Sequence, residues 1–100
     1  MGQPDALIHQ PLRLKIMAAL KPLPVGGRIE FVRLKELLGA TDGNFGAHCA
    51  TLEGAGYVAI DKDFVGKKPR TRLSLTRKGR RALDGYIEFL RDVVDAHSKP

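Results

Sequence analysis

The chain has 100 residues, 43% of them apolar, which suits a single modest hydrophobic core. No apolar run approaches the ~20 residues needed to span a bilayer, and a single cysteine excludes an internal disulfide. The net charge is +6, but it is unevenly placed. Lys62 to Arg81 hold nine of the 17 basic residues and one acid, Asp63, a local balance of +8, while the other 80 residues carry eight bases and ten acids. A basic surface confined to one fifth of a chain points to a polyanionic partner, nucleic acid before membrane. Met1-Gly2-Gln3-Pro4-Asp5 has neither a basic nor an apolar export region, so a soluble cytoplasmic protein is expected. No repeat or linker divides the sequence, and residues 1–100 are read as one domain.

In chain order, 5–10 read as a short helical turn, and Pro11 suits the first position of the next helix. Leu12, Ile16 and Leu20 mark its buried face, and Pro22 to Gly27 form a loop. Arg28 to Phe31 allow a short strand. Leu34, Leu37 and Leu38 define a short helix that Gly39 stops in the left-handed conformation. Thr41 is placed to cap the next helix, about 41–54, with Phe45, Cys49 and Leu52 inward. Tyr57 to Val65 read as a strand with Val58, Ile60 and Phe64 on one face. Gly66 to Arg70 are expected to turn, and Thr71 to Thr76 return with Leu73 and Leu75 inward. Thr76 caps a last helix whose apolar line is Leu83, Tyr86, Ile87, Leu90 and Val94.

The expected class is mainly α with a small β-hairpin. Two short helices joined at Gly39-Ala40 and followed by a basic hairpin make a winged helix-turn-helix with an extra terminal helix. His9-x-Pro11-x-Arg13-x-x-Ile16-x-x-Ala19-Leu20 resembles the opening helix of stand-alone winged-helix regulators related to the MarR and ArsR families. Thr41-Asp42-Gly43-Asn44 with His48, then Leu52-Glu53-x-Ala55-Gly56-Tyr57-Val58, resembles their recognition helix and its exit. Gly66-x-x-Pro69-Arg70-Thr71 and Leu75-Thr76-x-x-Gly79-Arg80 resemble their wing and the start of their last helix. The similarity runs over roughly residues 7 to 95. It implies a transcriptional regulator that binds double-stranded DNA as a homodimer.

The candidate DNA contacts divide into two groups. On the recognition helix, Asn44 has the two-pronged amide that pairs with adenine, Thr41 and the first amides suit a phosphate, and His48 and Thr51 are further contacts. That helix holds no Lys or Arg, and its Gly46, Ala47 and Ala50 lack reach. In the wing, 66–72, Lys67, Lys68 and Arg70 are expected at the tip, with Arg72 outward from the returning strand. Arg77, Lys78, Arg80 and Arg81 open the last helix, where the dipole disfavours them unless a polyanion offsets the cost. Residues 81–98, through Leu83, Tyr86, Ile87, Leu90 and Val94 and joined by Leu7, are the expected dimer interface.

Enzymatic readings find no support. There is no Gly-rich phosphate loop, no nucleophile with a spaced base, and no paired carboxylates. His48 and Cys49 are neighbours, so on a helix they point ~100° apart. Asp95-x-His97 resembles half of the metal site on the last helix of ArsR-type sensors, and the other half is missing. No cofactor or metal is expected. A different class of function stays open beside DNA binding: a winged helix used as a protein-interaction module for an acidic partner, kept in play by the base-free recognition helix.

Overall fold

The computed structural model of the chain describes Gly2 and residues 4–98. Met1, Gln3, Lys99 and Pro100, the extremes of the expected domain, lie outside the described residues. The Asp5 carboxylate accepts from the Leu7 and Ile8 amides and holds the turn that buries Ile8. Pro11 then opens α1 (Pro11–Leu20), and the Gln10 side chain caps it by accepting from the Arg13 amide at 2.8 Å.

A two-residue strand β1 (Ile29–Glu30) leads directly into α2 (Phe31–Leu38). Phe31, expected in the strand, instead starts the helix, and its ring packs edge-on against Phe45 at 4.7 Å between centroids. Gly39 ends α2 at φ 63°, the left-handed conformation that lets the chain turn at once into α3 (Asp42–Gly54). The Thr41 hydroxyl caps α3 by accepting from the Asn44 amide.

The wing is the pair β2 (Val58–Val65) and β3 (Lys68–Leu75), antiparallel, with β1 on the far side of β3 in the order β1-β3-β2. The expected five-residue turn is in fact two residues, Gly66 and Lys67, with Lys68 already opposite Val65. Gly66 sits at φ 63° and Lys67 at negative φ, the pattern of a tight II′-like hairpin turn that follows the strand twist. Lys68, Pro69 and Arg70 therefore belong to the strand.

Helix α4 (Arg77–Ser98) follows, about 33 Å long at 1.5 Å per residue. Thr76 fixes its start, donating to the Gly56 carbonyl at 2.6 Å and accepting from the Gly79 amide at 2.9 Å. The core gathers Ile16, Met17 and Leu20 of α1, Leu34 of α2, Phe45, Cys49 and Leu52 of α3, Val58, Leu73 and Leu75 of the sheet, and Leu83 and Tyr86 of α4. Each large side chain in it contributes roughly 1.5–3 kcal/mol through burial. Leu83 and Tyr86 were expected to face a second protomer, and this is corrected. They are 0% and 3% exposed inside one chain, and the Tyr86 hydroxyl shares a 2.6 Å hydrogen bond with His9 Nδ1. Helix α1 packs against α4, and Leu83 and Tyr86 join the common core, so that part of the stripe is consumed locally. Among the described residues no helix is long and apolar enough to cross a membrane.

Candidate nucleic-acid interface

Helix α3 presents Thr41, Asn44, Ala47, Ala50 and Thr51 to solvent, while Phe45, Cys49 and Leu52 are turned inward. Of the four polar candidates here, Thr41 is used as the cap, and the Thr51 hydroxyl donates back to the Ala47 carbonyl at 3.1 Å. Asn44 is exposed and His48 is half-buried. Asp42 in the first turn suits the helix dipole and pairs with Lys35 of α2. With Glu53 near its other end, α3 carries two acids and no fixed positive charge.

The wing has two chemically different faces, set by the register. Asp61 lies opposite Arg72 and Asp63 opposite Arg70, so these four project from one face. There Arg70 grips Asp63 with two hydrogen bonds, Nε at 2.9 Å and Nη2 at 2.6 Å, and Arg72 adds a third at 3.2 Å. Arg28 pairs with Asp61 at 3.1 Å. The hydrogen bond from Arg70 holds the Asp63 carboxyl below its ordinary range, and Asp63 in turn raises the Arg70 guanidinium. Arg70 and Arg72, expected as phosphate contacts, are thus both held by Asp63 within the wing. The other face carries Val58, Ile60, Lys62 and Phe64 of β2 with Leu75, Leu73, Thr71 and Pro69 of β3. This face looks toward α3, and a cleft of about 610 Å³ between them is lined by Gly46, Ala50, Glu53, Ile60, Lys62 and Thr71.

Sequence reasoning overlooked Lys62 as a site residue and grouped Phe64 on one face with Val58 and Ile60. Phe64 is 69% exposed. An eight-residue strand extends past the core that supports its first three residues, and strand length was the signal available for this. Lys62, Lys67 and Lys68 are exposed, with no ion-pair partner among the described residues.

The cations that open α4 also separate. Arg77 and Arg81 are exposed, and Lys78 lies over the Tyr57 ring at 5.8 Å. Arg80 is turned inward as a cap for α1, donating to the Lys21 and Leu23 carbonyls at 3.0 and 3.4 Å. Further along α4, Ile87 and Leu90 are half-buried against the core, Val94 is 62% exposed, and Leu7 is half-buried on the N-terminal turn. Cys49 is buried at the base of the cleft, where desolvation pushes its thiol up to about 11 and makes it a packing residue. No group of three His, Cys, Asp or Glu side chains that could hold a metal ion occurs among the described residues.

A capped helix-turn-helix followed by a two-stranded wing is the architecture of one known family, and the model of the winged helix DNA-binding domain matches residues 12–94. The chain belongs to the winged helix DNA-binding domain family. This winged-helix chain is 37% identical over 81 residues to the uncharacterized protein MJ0432 of Methanocaldococcus jannaschii, a match spanning 81% of this chain and 85% of that one. It is similar in structure to a transcriptional regulator homologue of Pyrococcus horikoshii OT3, with a TM-score of 0.81 at 29% identity over 90% of this chain and 86% of that one. A PadR family transcriptional regulator of Eggerthella lenta shares the fold, with a TM-score of 0.65 at 23% identity over 86% and 83% of the two chains.

Proposed function

We propose that the chain is a cytoplasmic transcriptional regulator that binds duplex DNA as a homodimer, with α3 in the major groove and the wing on the backbone and adjoining minor groove. The observation that carries this reading is the contrast across the cleft. Three lysines without partners line the wing's tip and α3-facing side, next to a helix whose outer face is small and polar. Small residues at Gly46, Ala47 and Ala50 let the backbone approach the groove floor, and Asn44 supplies the amide that pairs with adenine. Thr41, the α3 N-terminal amides, His48 and Thr51 flank it. Lys67, Lys68 and Lys62 take phosphates, and Arg77 extends the positive surface from the start of α4. Dimerisation is assigned to the distal part of α4, through Ile87, Leu90 and Val94 with Leu7, since Leu83 and Tyr86 are already buried.

The test is a salt titration with a fluorescent duplex of mixed sequence. The logarithm of the binding constant should fall linearly with the logarithm of salt concentration, by about 0.9 per phosphate neutralised. Replacing Lys62, Lys67 and Lys68 by Ala should flatten the slope by about one unit per lost contact and weaken binding to all sequences alike. Absence of salt-dependent binding by the intact chain overturns the DNA reading and leaves a protein-interaction module.

A further inference from the structure

Phe64 is the largest apolar side chain left in solvent, at 69% exposure, with Val65 beside it at 57%. Nothing among the described residues covers it. From Val58 to Phe64 is about 20 Å of strand, and the core ends near Ile60. A large aromatic side chain held in water is unfavourable, so its place at a wing tip calls for a function. Its surroundings narrow the choice. Directly across the ladder stands Pro69, whose ring adds a second apolar surface and fixes the local backbone. The same face carries Lys62, the turn beside it carries Lys67, and Lys68 follows as the first residue of β3, opposite Val65. The nearby acids Asp61 and Asp63 project from the opposite face and are tied to Arg28, Arg70 and Arg72. The result is an apolar point flanked by unpaired Lys62 and Lys67, while Lys68 shares a surface pocket with Glu30, Val65, Pro69 and Arg70.

We propose that Phe64, backed by Pro69, is a wedge that the wing presses into a minor-groove base step of duplex DNA, while Lys62, Lys67 and Lys68 hold the phosphates around it. This rests on the DNA-binding reading above. Two arguments favour a duplex over a protein partner. The wing is a convex two-stranded tip that offers one projecting ring, whereas a stable protein interface needs about 800 Å² from each partner. The charge beside the ring is mainly cationic, which matches the phosphates that line both edges of a minor groove. Apolar wedges of this kind partly unstack a base step and kink the duplex, most easily at flexible TA and CA/TG steps. On an otherwise weak recognition helix, a wedge would add selectivity through deformability rather than through base edges.

The experiment compares two end-labelled duplexes of about 30 base pairs and equal composition, one rich in TA steps and one built on A-tracts. Energy transfer between the ends reports bending, and anisotropy reports affinity. The intact chain should bend the TA-rich duplex and prefer it by about fivefold or more. Phe64→Ala should lose both the bend and the preference while keeping the salt slope set by the lysines. Phe64→Leu should restore part of each. Phe64 lies outside the core, so the variants should melt like the parent, and circular dichroism checks this. If Phe64→Ala binds, bends and discriminates as the parent does, the wedge is wrong and the DNA reading stands. If the parent binds neither duplex, both fail. If Phe64→Ala halves the particle mass in solution, the ring is a self-association contact and the wedge is wrong.

Discussion

Helix α3 and the β2–β3 wing sit on opposite sides of one cleft and are built on opposite principles. The helix has two acids, no fixed cation and a surface of glycine, alanine and small polar residues. The wing has five basic residues, two of them paired with its own Asp63 and three without an ion-pair partner among the described residues. Charge that is free to meet a phosphate gives affinity without regard to sequence, and reading of base edges needs reach and hydrogen-bonding groups. On the proposed function the two tasks would therefore fall to different elements, and α3, with the base-reading task, would be the weaker. Selectivity in such a protein has to come from placing two weak readers in phase or from DNA shape.

The largest effect should follow from breaking that phase. Leu90→Asp puts a charge on the distal stripe of α4, and Val94→Asp does the same at a position too exposed to disturb the protomer fold. Either should give monomers by light scattering. Each monomer keeps its wing, so non-specific binding should fall little, whereas affinity for a two-half-site operator should fall by about 10²–10⁴-fold. A monomeric parent at tens of micromolar would remove the dimer from the model.

Much of this arrangement was legible in the sequence. The helical repeat of Phe45, Cys49 and Leu52, the caps at Thr41 and Thr76, and the stop at Gly39 all carry local signals, and all are in place. What escaped depends on register and on how far an element extends. A five-residue turn at 66–70 would put Asp63 opposite Leu73. The two-residue turn puts it opposite Arg70, and the ion pair follows from that shift. Periodicity put Phe64 on the same face as Val58 and Ile60, as the register does, but it carries no information about where the core beneath that face ends. Likewise the apolar line of α4 does not show that α1 and the N-terminal turn already cover Leu83 and Tyr86.

Releasing the arginines on the far face of the wing tests the division within the wing itself. Asp63→Asn removes the acceptor that holds Arg70 and Arg72. If that acceptor withholds Arg70 from DNA, the variant should bind mixed-sequence duplex a few-fold more tightly and steepen the salt slope by about one unit. A weaker variant would mean instead that Asp63 aims Arg70 at the DNA. The two outcomes have opposite signs, and one salt titration decides.

The smallest effect, and the one that separates folding from recognition on α3, is expected at Gly46. It lies inside the helix, where glycine costs about 1 kcal/mol relative to alanine because its backbone loses more freedom on folding. An added Cβ would have the Phe31 Cζ atom as its nearest neighbour, at 4.0 Å, an ordinary contact with nothing to displace. Gly46→Ala should therefore raise the melting temperature by about 4–8 °C for a domain of this size. If α3 approaches a groove floor at this position, the same methyl group should weaken operator binding several-fold while leaving the salt slope unchanged, since no phosphate contact is touched. Gly54→Ala, at the end of α3 with nothing within 4 Å of its added carbon, provides the control and should leave DNA binding as it was. Equal operator affinities for the two variants would show that the glycine at 46 serves no close approach, and that α3 is read through its longer side chains.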